Sequence, residues 1–294
     1  MSGQPARTSP SFYDNPDLYD LVFGFRRVWR ELDFTVGVYA DIAGRPPRSV
    51  VDIACGTGRH VLEAARRGID VVGLDSNPAM VSYAAGKAAA QGLDASFVVA
   101  DMRALPFQGP FDCAICMFHT LPLLTTNEEL LAHFEGVAQC LAPPGVYVVE
   151  MGNPRGSFVD IPHGSRETWD ERCWSELRDG ARIRATTYRD PPDLRHETMR
   201  VEMVVDLAAP GLSVRLSAVE IHRLLLPESL AAIAHAGGRF RLHGVYGGFS
   251  ADQVFEASAR SARMICVFVR DPARRSSRKE KALSSRSTQY GLRL

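Results

Sequence analysis

The stretch that most constrains the fold is VVDIACGTGRHVLEAARRGIDVVGLDSNPAM, residues 50–80. A run of β-branched residues meets a turn with Gly56 and Gly58, then a helical segment, then a second apolar run that ends at Asp75. A strand that enters a glycine-rich turn brings a ligand to the carboxyl edge of a sheet, next to a helix N-terminus. Glycine permits this approach because it has no Cβ. The stretch therefore predicts a nucleotide-type ligand at a β-α-β unit.

The alternation of strands and helices continues to residue 150. Strands separated by helices indicate an α/β protein with a doubly wound, mostly parallel sheet. The predicted strands are 49–54, 70–75, 95–100, 111–117 and 145–150, and the predicted helices are 59–67, 77–91 and 127–141.

The pattern changes after Asn153, where strands rich in Val, Ile and Leu are joined by PPDL and APGL turns. We interpret them as an antiparallel β insertion after strand five. A helix that opens at Pro227 and two further strands then return to the core sheet. The predicted parts are an N-terminal helical segment (1–44), the α/β core (45–153), the insertion (154–222), the C-terminal part of the core sheet (223–271) and a disordered basic tail (272–294).

Composition and charge exclude several partners. The 294 residues have a formal net charge of zero, so no overall field draws the chain to nucleic acid or to a membrane. The beginning of the chain has no apolar signal region, and no stretch is long enough to span a bilayer. We therefore expect a cytoplasmic protein. For the basic tail, solvation is the simpler interpretation and contact with nucleic acid the alternative.

The six cysteines are scattered, and only Cys113 and Cys116 form a C-x-x-C pattern. That pattern lies in an apolar strand, where the two side chains diverge. We expect reduced thiols in the core. No Cys/His cluster has zinc spacing, so we expect no metal.

Three details indicate which nucleotide binds. The third position of the dinucleotide G-x-G-x-x-G pattern is Val61, not glycine. Asp52 precedes the turn and suits a cationic ligand better than a pyrophosphate. Asp75, 19 residues after Gly56, can bind two ribose hydroxyls, and Asp101 can read the adenine amino group. Two carboxylates near a sulfonium also favour its charge.

Together the segments DIACGTGR, GLDSNPAM, VVADMRALPF, FDCAICMFHTLPLL and LAPPGVYVVE resemble the class I S-adenosylmethionine-dependent methyltransferases. The similarity is closest to the small-molecule branch, which includes bacterial natural-product methyltransferases and glycine N-methyltransferase-like enzymes. It covers residues 12–153 well and 222–270 loosely. It implies a seven-stranded Rossmann-like sheet, S-adenosylmethionine as cofactor and methyl transfer to an N, C or O atom of a small molecule in bacterial secondary metabolism.

The resemblance also implies which residues contact the cofactor. They are Asp52, Ala54, Gly56 and Gly58 at the methionine part, Asp75 at the ribose, Ser76 and Met80 near the adenine, Asp101 and Met102 at the adenine edge, and Met117 close to the sulfonium. Tyr13 and Tyr19 lie in the N-terminal segment, which in the family often folds over the cofactor as a lid.

Methyl transfer from a sulfonium is an in-line displacement in which the protein supplies alignment, and a base is optional. Three catalytic candidates stand out. His119 follows strand four and is either a base or a histidine that packs against the cofactor. Glu150 ends strand five and either holds a cationic amine or forms a structural hydrogen bond. His222 in the insertion points either into the pocket or to solvent.

Aromatic residues are the candidates for binding the acceptor. Trp169 and Trp174 could form a wall for a planar acceptor, with core packing as the alternative. Tyr13 and Tyr19 could each contact cofactor or substrate, and we assign Tyr19 to the cofactor and Tyr13 to the substrate. For Arg26 and Arg27 we favour a solvated helix face. Because basic and acidic residues are interleaved in the insertion, a closed pocket for a small acceptor fits better than an open face for a macromolecule.

Two other functions remain open at this point. One is a nicotinamide-dependent oxidoreductase, which Val61 and the Asp101 segment disfavour. The other is a non-catalytic module that binds S-adenosylmethionine. A homodimer is compatible with either.

Overall fold

The computed structural model describes residues 12–106, 109–155, 182–256, 258, 260, 261 and 263–271, together with the backbone of 167–169. The predicted basic tail, 272–294, lies outside the described residues.

In the described part of the chain, eleven strands form two sheets. They are β1 (Ser49–Ile53), β2 (Asp70–Asp75), β3 (Ser96–Val99), β4 (Phe111–Cys116), β5 (Leu141–Gly152), β6 (Glu167–Trp169), β7 (Arg182–Arg189), β8 (Thr198–Ala209), β9 (Leu212–Arg223), β10 (Phe240–Tyr246) and β11 (Arg263–Arg270).

The larger sheet has seven strands in the order β10-β11-β5-β4-β1-β2-β3. Strands β1 to β5 pair in parallel, and β11 is antiparallel to both β5 and β10. Its central strands β1 and β4 are almost entirely buried on both faces, which is typical of a sheet covered by helices on each side. The predicted doubly wound, mostly parallel sheet is confirmed.

Within the described ranges, six α-helices accompany the strands. They are α1 (Pro16–Phe23), α2 (Val28–Ala43), α3 (Arg59–Arg66), α4 (Pro78–Ala90), α5 (Asn127–Cys140) and α6 (Pro227–Gly238). One face of the sheet packs against α2 and α3, and the other against α5 and α6. Among the described residues no helix is both long and apolar enough to cross a membrane.

Local sequence explains where α4 begins, and α4 opens beside the ligand-binding edge. The Asn77 side chain accepts a hydrogen bond from the Ala79 N–H at 2.8 Å, and Pro78 occupies the first turn. An N-cap asparagine satisfies a backbone N–H that has no partner within the helix, and proline fits the first turn because it lacks that N–H.

The two residues of the C-x-x-C pattern lie on opposite faces of the large sheet. Cys113 packs in the cluster that includes Ile115, and Cys116 in the cluster that includes Ala114. Both are free, and burial raises the pKa of Cys116 to about 12. The prediction of core thiols with divergent side chains is therefore confirmed.

The smaller sheet has the order β6-β7-β8-β9, and all its strands are antiparallel. It follows β5 in the chain, as predicted for the insertion. Its inner face carries Ile183, Val205 and Ala218, which pack against Phe12 and Val22 of the N-terminal segment. The N-terminal segment and the insertion thus share one apolar cluster.

A polar cluster at the opposite end of the large sheet fixes α2. Both Asp112 oxygens accept from the Arg45 guanidinium, at 3.0 and 2.7 Å, and Oδ1 also accepts from the Tyr39 hydroxyl at 2.8 Å. The Arg48 N–H donates to the same carboxylate at 2.6 Å. The Arg45 side chain, first among several hydrogen-bond donors, holds the pKa of Asp112 at about 2.

Replacement of Asp112 by Asn should lower the free energy of unfolding by about 1–3 kcal/mol at pH 7, because buried donors lose a charged acceptor. A carboxyl whose pKa is depressed in the folded state stabilises the fold above its unfolded pKa, and this contribution fades as pH falls from 3.8 to about 2. The difference between wild type and D112N, measured by urea unfolding, should therefore be constant above pH 5 and smaller at pH 3. Asp41→Asn, at an exposed position of α2, is the control. Equal differences at pH 7 and pH 3 would contradict the assignment.

Candidate functional site

A cavity of about 840 Å³ lies where the carboxyl ends of β1, β2 and β4 meet the N-terminal segment and the smaller sheet. The large sheet contributes Ala54, Gly56 and Asp75 to its wall, and the smaller sheet contributes Glu220 and His222. Ligands of doubly wound sheets bind at this edge because backbone groups there are free of the strand ladder. The cavity thus joins the predicted nucleotide site to the insertion.

Asp75 is oriented by two backbone N–H groups. Oδ2 accepts from Gly56 at 2.8 Å, and Oδ1 accepts from Asn77 at 2.9 Å. Burial raises the pKa of Asp75, which these hydrogen bonds counteract. The carboxylate thus stands at the cavity wall next to the turn, where a vicinal diol could donate to its remaining lone pairs.

The two glycines of the turn serve different purposes. Both have positive φ, +54° at Gly56 and +74° at Gly58. A Cβ at Gly56 would meet only Tyr19 at 3.9 Å, whereas a Cβ at Gly58 would lie 2.8 Å from the Ala84 Cβ and 2.9 Å from Phe97. Gly56 lines the cavity, and Gly58 instead lets α4 and β3 pack closely behind the turn.

Asp52 is a buried carboxylate next to the glycine turn. It is 2% exposed, and its Oδ2 has no hydrogen-bond partner among the described residues. Burial raises the pKa of Asp52 to about 7. It borders a small cavity of about 60 Å³, which shares Ala54 and Gly56 with the larger one and also contains Met117. A cationic group is the ligand that such a carboxylate favours, so these residues fit a sulfonium amino acid.

The predicted adenine side also lies in the cavity wall. Ser76, Met80, Asp101 and Met102 line it. Asp101 accepts from Arg103 Nη2 at 2.5 Å, and this ion pair lowers the pKa of Asp101. Asp101 is therefore ionised and can accept a hydrogen bond from an exocyclic amino group.

An aromatic roof from the N-terminal segment covers the turn. Tyr19 and Phe23 lie 4.7 Å apart, and Phe23 meets Phe118 edge-on at 4.6 Å. Tyr13 and Tyr19 both line the large cavity. This geometry agrees with the expected place of a lid, whose movement remains a prediction.

Polar contacts tie the roof to the turn. Asp20 accepts from the Thr57 hydroxyl at 2.5 Å and also pairs with Lys87. The Arg59 guanidinium donates to the Phe23 carbonyl at 2.5 Å and to the Gly24 carbonyl at 3.1 Å. Arg59 thereby satisfies carbonyls at the C-terminal end of α1, where intrahelical partners run out.

Arg26 is not on a solvated helix face, so that expectation was wrong. It is 8% exposed and forms double hydrogen bonds with both Glu31 and Glu150. A buried guanidinium needs such partners because desolvation without them is costly. Arg27, in contrast, is exposed as predicted.

Glu150 lies at the cavity edge, but its oxygens already have several donors. They accept from Arg26 at 2.7 and 3.1 Å, from Arg263 at 2.8 Å and from the Phe118 N–H at 2.7 Å. These contacts agree with the alternative that Glu150 forms structural hydrogen bonds. A catalytic role for it stays a prediction.

The loop after β4 has an unusual backbone. Phe118 and His119 have φ of +63° and +61°, a region that costs energy for residues with a Cβ. The His119 N–H donates to the Glu150 carbonyl at 3.0 Å, and His119 Nδ1 accepts from the Gly152 N–H at 2.9 Å. Strand β5 thus holds the loop in place.

These contacts define the chemistry that His119 can perform. Because Nδ1 accepts a hydrogen bond, the proton of the neutral ring is on Nε2. Burial, assisted by His222 and Arg189, lowers the pKa of His119 to about 3. The ring is therefore neutral near pH 7 and is better suited to donate a hydrogen bond than to accept a proton.

The acceptor side of the cavity is formed by polar side chains of β9 and the N-terminal segment. His222 Nε2 and Glu220 Oε2 are 2.9 Å apart, and the rings of His222 and His119 meet at 4.9 Å. Tyr13 also hydrogen-bonds to Glu220. The structure places His222 at the cavity wall and not in solvent.

Two predicted aromatic residues cannot be located at the site. Trp174 and the side chain of Trp169 lie outside the described residues. Within the described ranges no group of His, Cys, Asp and Glu could hold a metal ion.

Sequence reasoning missed Glu220, although a signal existed. Side chains two residues apart on a strand share a face, so a cavity-facing His222 implies a cavity-facing Glu220. The contact between Arg26 and Glu150 had no such signal, since the two residues are 124 positions apart in the chain.

The comparisons with known proteins agree with this geometry. Residues 50–145 match a family profile described as a methyltransferase domain. A relative in Streptomyces venezuelae, dTDP-3-amino-3,4,6-trideoxy-alpha-D-glucopyranose N,N-dimethyltransferase, is 33% identical over 143 residues, or 47% of this chain and 56% of that protein. In Saccharopolyspora spinosa, dTDP-4-amino-2,3,4,6-tetradeoxy-D-glucose N,N-dimethyltransferase is 28% identical over 148 residues, or 50% of this chain and 58% of that protein.

A solved structure extends the similarity of fold to most of the chain. The S-adenosylmethionine-dependent methyltransferase from Clostridium acetobutylicum superposes with a TM-score of 0.71 at 15% identity, covering 87% of this chain and 97% of that one. The alignments to the two curated relatives span just over half of their lengths. The matched profile describes a methyltransferase domain and not a nicotinamide-dependent oxidoreductase. Residues 50–145 therefore carry a methyltransferase domain.

Proposed function

We propose that the protein transfers a methyl group from S-adenosylmethionine to the nitrogen of a small amine of the amino-sugar class, in secondary metabolism. The observation that carries the proposal is a shared cavity in which the Gly56–Asp75 corner faces a wall contributed by the smaller sheet. The two curated relatives described above, named as amino-sugar N,N-dimethyltransferases, support nitrogen as the methylated atom.

Residues of the large sheet would bind the methyl donor. Asp75 would accept hydrogen bonds from the ribose hydroxyls. Asp52, whose Oδ2 has no hydrogen-bond partner among the described residues, would balance a positive charge of the methionine part. When bound, the cofactor supplies an electrophilic methyl group whose bond to sulfur breaks as the bond to nitrogen forms. The chain's residues orient the two partners and exclude water, which suffices for an in-line displacement.

The acceptor side favours a compact molecule. The aromatic roof and the smaller sheet leave a cavity of about 840 Å³ for cofactor and acceptor together, a volume typical of small-molecule sites. Such a cavity is consistent with a metabolite and not with a folded macromolecule.

The proposal predicts that S-adenosylmethionine and an amino sugar together give a product 14 mass units heavier per methyl group. A panel of amino sugars, free and linked to a nucleoside diphosphate, should be assayed by mass spectrometry beside a catechol and an indole of similar size. Methylation of amines alone would support the assignment. Methylation of the catechol or the indole, with none of any amine, would overturn it.

Asp75→Ala should weaken S-adenosylhomocysteine binding by about 1–3 kcal/mol, because the ribose hydroxyls lose a charged acceptor. Isothermal titration calorimetry measures this directly, and Asp75→Asn, which keeps one acceptor oxygen, should give a smaller loss. Asp70→Ala, at the exposed opposite end of β2, is the control and should bind as the wild type does. An unchanged affinity of D75A would reject the role.

His119→Ala should reduce turnover only a few-fold, with the pH dependence of kcat unaltered between pH 6 and 9. The reason is that the His119 ring has a pKa of about 3 and its Nδ1 lone pair is occupied by the Gly152 N–H. Stopped assays across this pH range test the expectation. A loss of about 10²–10⁴-fold together with the disappearance of an ionisation from the profile would identify a general base instead.

A further inference from the structure

We propose that Glu220 binds the acceptor through N–H groups of its amine, and that His222 is the residue that positions the Glu220 carboxylate. This inference deepens the proposed function and rests on it. It assigns a specific role to the polar wall that the smaller sheet contributes to the cavity.

Strand β9 places Glu220 in the cavity wall. It lies on β9, on the same face as Ala218 and His222, and its side chain is 25% exposed within the cavity wall. Across the sheet it is in register with Val201 of β8, which is in register with Arg189 of β7. All three line the cavity. A carboxylate is thus presented to the acceptor space from a regular strand and not from a loop.

His222 forms a hydrogen bond with Glu220. Its Nε2 lies 2.9 Å from Glu220 Oε2. A carboxylate only accepts hydrogen bonds, so Nε2 carries the proton and donates it. The other nitrogen, Nδ1, is buried without a partner among the described residues, and the side chain is 9% exposed. The polar contact that fixes the ring is therefore the one to Glu220.

Tyr13 approaches Glu220 from the N-terminal segment. It hydrogen-bonds to Glu220, and burial, together with the Glu220 charge, raises the pKa of Tyr13. The phenol stays protonated and acts as a donor. With donors from Tyr13 and His222 on either side, the Glu220 carboxylate is held in one orientation and keeps lone pairs for a third donor from the cavity.

Several other charged or titratable groups surround this carboxylate. His119 meets the His222 ring from the loop after β4, Tyr19 approaches Tyr13 from α1, and Arg189 lies on β7. Tyr19 is protonated because burial raises its pKa, and His119 is neutral because burial lowers its pKa to about 3. Neither brings a positive charge to Glu220. Arg189 is cationic, but it lies two strands away, with Val201 of β8 between them in the register. An acceptor cation would therefore find an anionic partner at Glu220.

These features select an amine over an alcohol. An ammonium group gives a charge-assisted hydrogen bond to a carboxylate, which is stronger than a bond from a neutral hydroxyl. In the neutral amine, the lone pair points away from the N–H bonds that Glu220 accepts. Binding through N–H groups therefore orients the nucleophilic lone pair into the cavity and away from the smaller sheet.

The test uses matched probe pairs that differ in one group: D-glucosamine and D-glucose, 1-aminopropane and 1-propanol, and tryptamine and tryptophol. Dissociation constants are measured by ligand-observed NMR on full-length protein saturated with S-adenosylhomocysteine. Wild-type protein should bind at least one amine about tenfold more tightly than its alcohol partner. Glu220→Gln should remove this preference by weakening the amine alone. Glu202→Gln, the same change on the neighbouring strand β8 with its side chain on the opposite face, should retain it.

The positioning role of His222 is tested by two substitutions. His222→Leu removes the donor to Glu220 and should weaken binding of the preferred amine about three- to tenfold. His222→Gln supplies an amide N–H and should restore most of this loss. A purely structural role for the ring would make the two variants similar.

The outcomes separate this inference from the proposed function. If the wild type shows no amine preference in any pair, or if E220Q keeps the preference, the role of Glu220 is overturned. If H222L and H222Q behave alike, the role of His222 is overturned. The proposed function itself fails only if S-adenosylhomocysteine does not bind by calorimetry or no amine is methylated, and neither readout depends on the variants.

Discussion

The guanidinium of Arg26 lies between Glu31 and Glu150, and the arrangement of the site depends on this buried cluster. Burying three charged side chains is favourable only when each finds partners in good geometry. The junction between α1 and α2 therefore has one well-defined position against the end of β5. That position sets where the aromatic roof lies above the glycine turn, because Phe23 is only three residues before Arg26.

The same cluster supports strained backbone at the cavity. Ala54, Phe118 and His119 are residues with a Cβ whose φ is near +60°, and each such conformation costs about 1–3 kcal/mol. The Glu150 carboxylate and carbonyl accept the N–H groups of Phe118 and His119. Arg26 lies over the Phe118 ring at 4.6 Å. Strain in the cavity wall is thus maintained by contacts that lie just behind it.

The sequence was most informative where structure is local. The β-α-β unit, the two faces of Cys113 and Cys116 and the antiparallel insertion follow from periodicity and turn chemistry over short stretches. Contacts between distant segments could not be read in this way. Arg26 and Glu150 are 124 residues apart, and Glu31, the partner five residues away, does not by itself indicate that the pair is buried. Gly58 illustrates another limit of prediction from sequence. A motif does not distinguish a glycine that permits helix packing from one that lets a ligand approach the backbone.

Carboxylates around the cavity show why residue type alone does not define a role. Glu150 is surrounded by two guanidinium groups and a backbone N–H, so a further cation would compete with existing partners. Asp52 is buried with one oxygen unpartnered, and burial raises its pKa to about 7. Because a bound cation stabilises the ionised form, cation binding and loss of the Asp52 proton are linked. Glu220 is intermediate between Glu150 and Asp52. Hydrogen bonds from Tyr13 and His222 orient its carboxylate, and the remaining lone pairs can accept a third hydrogen bond.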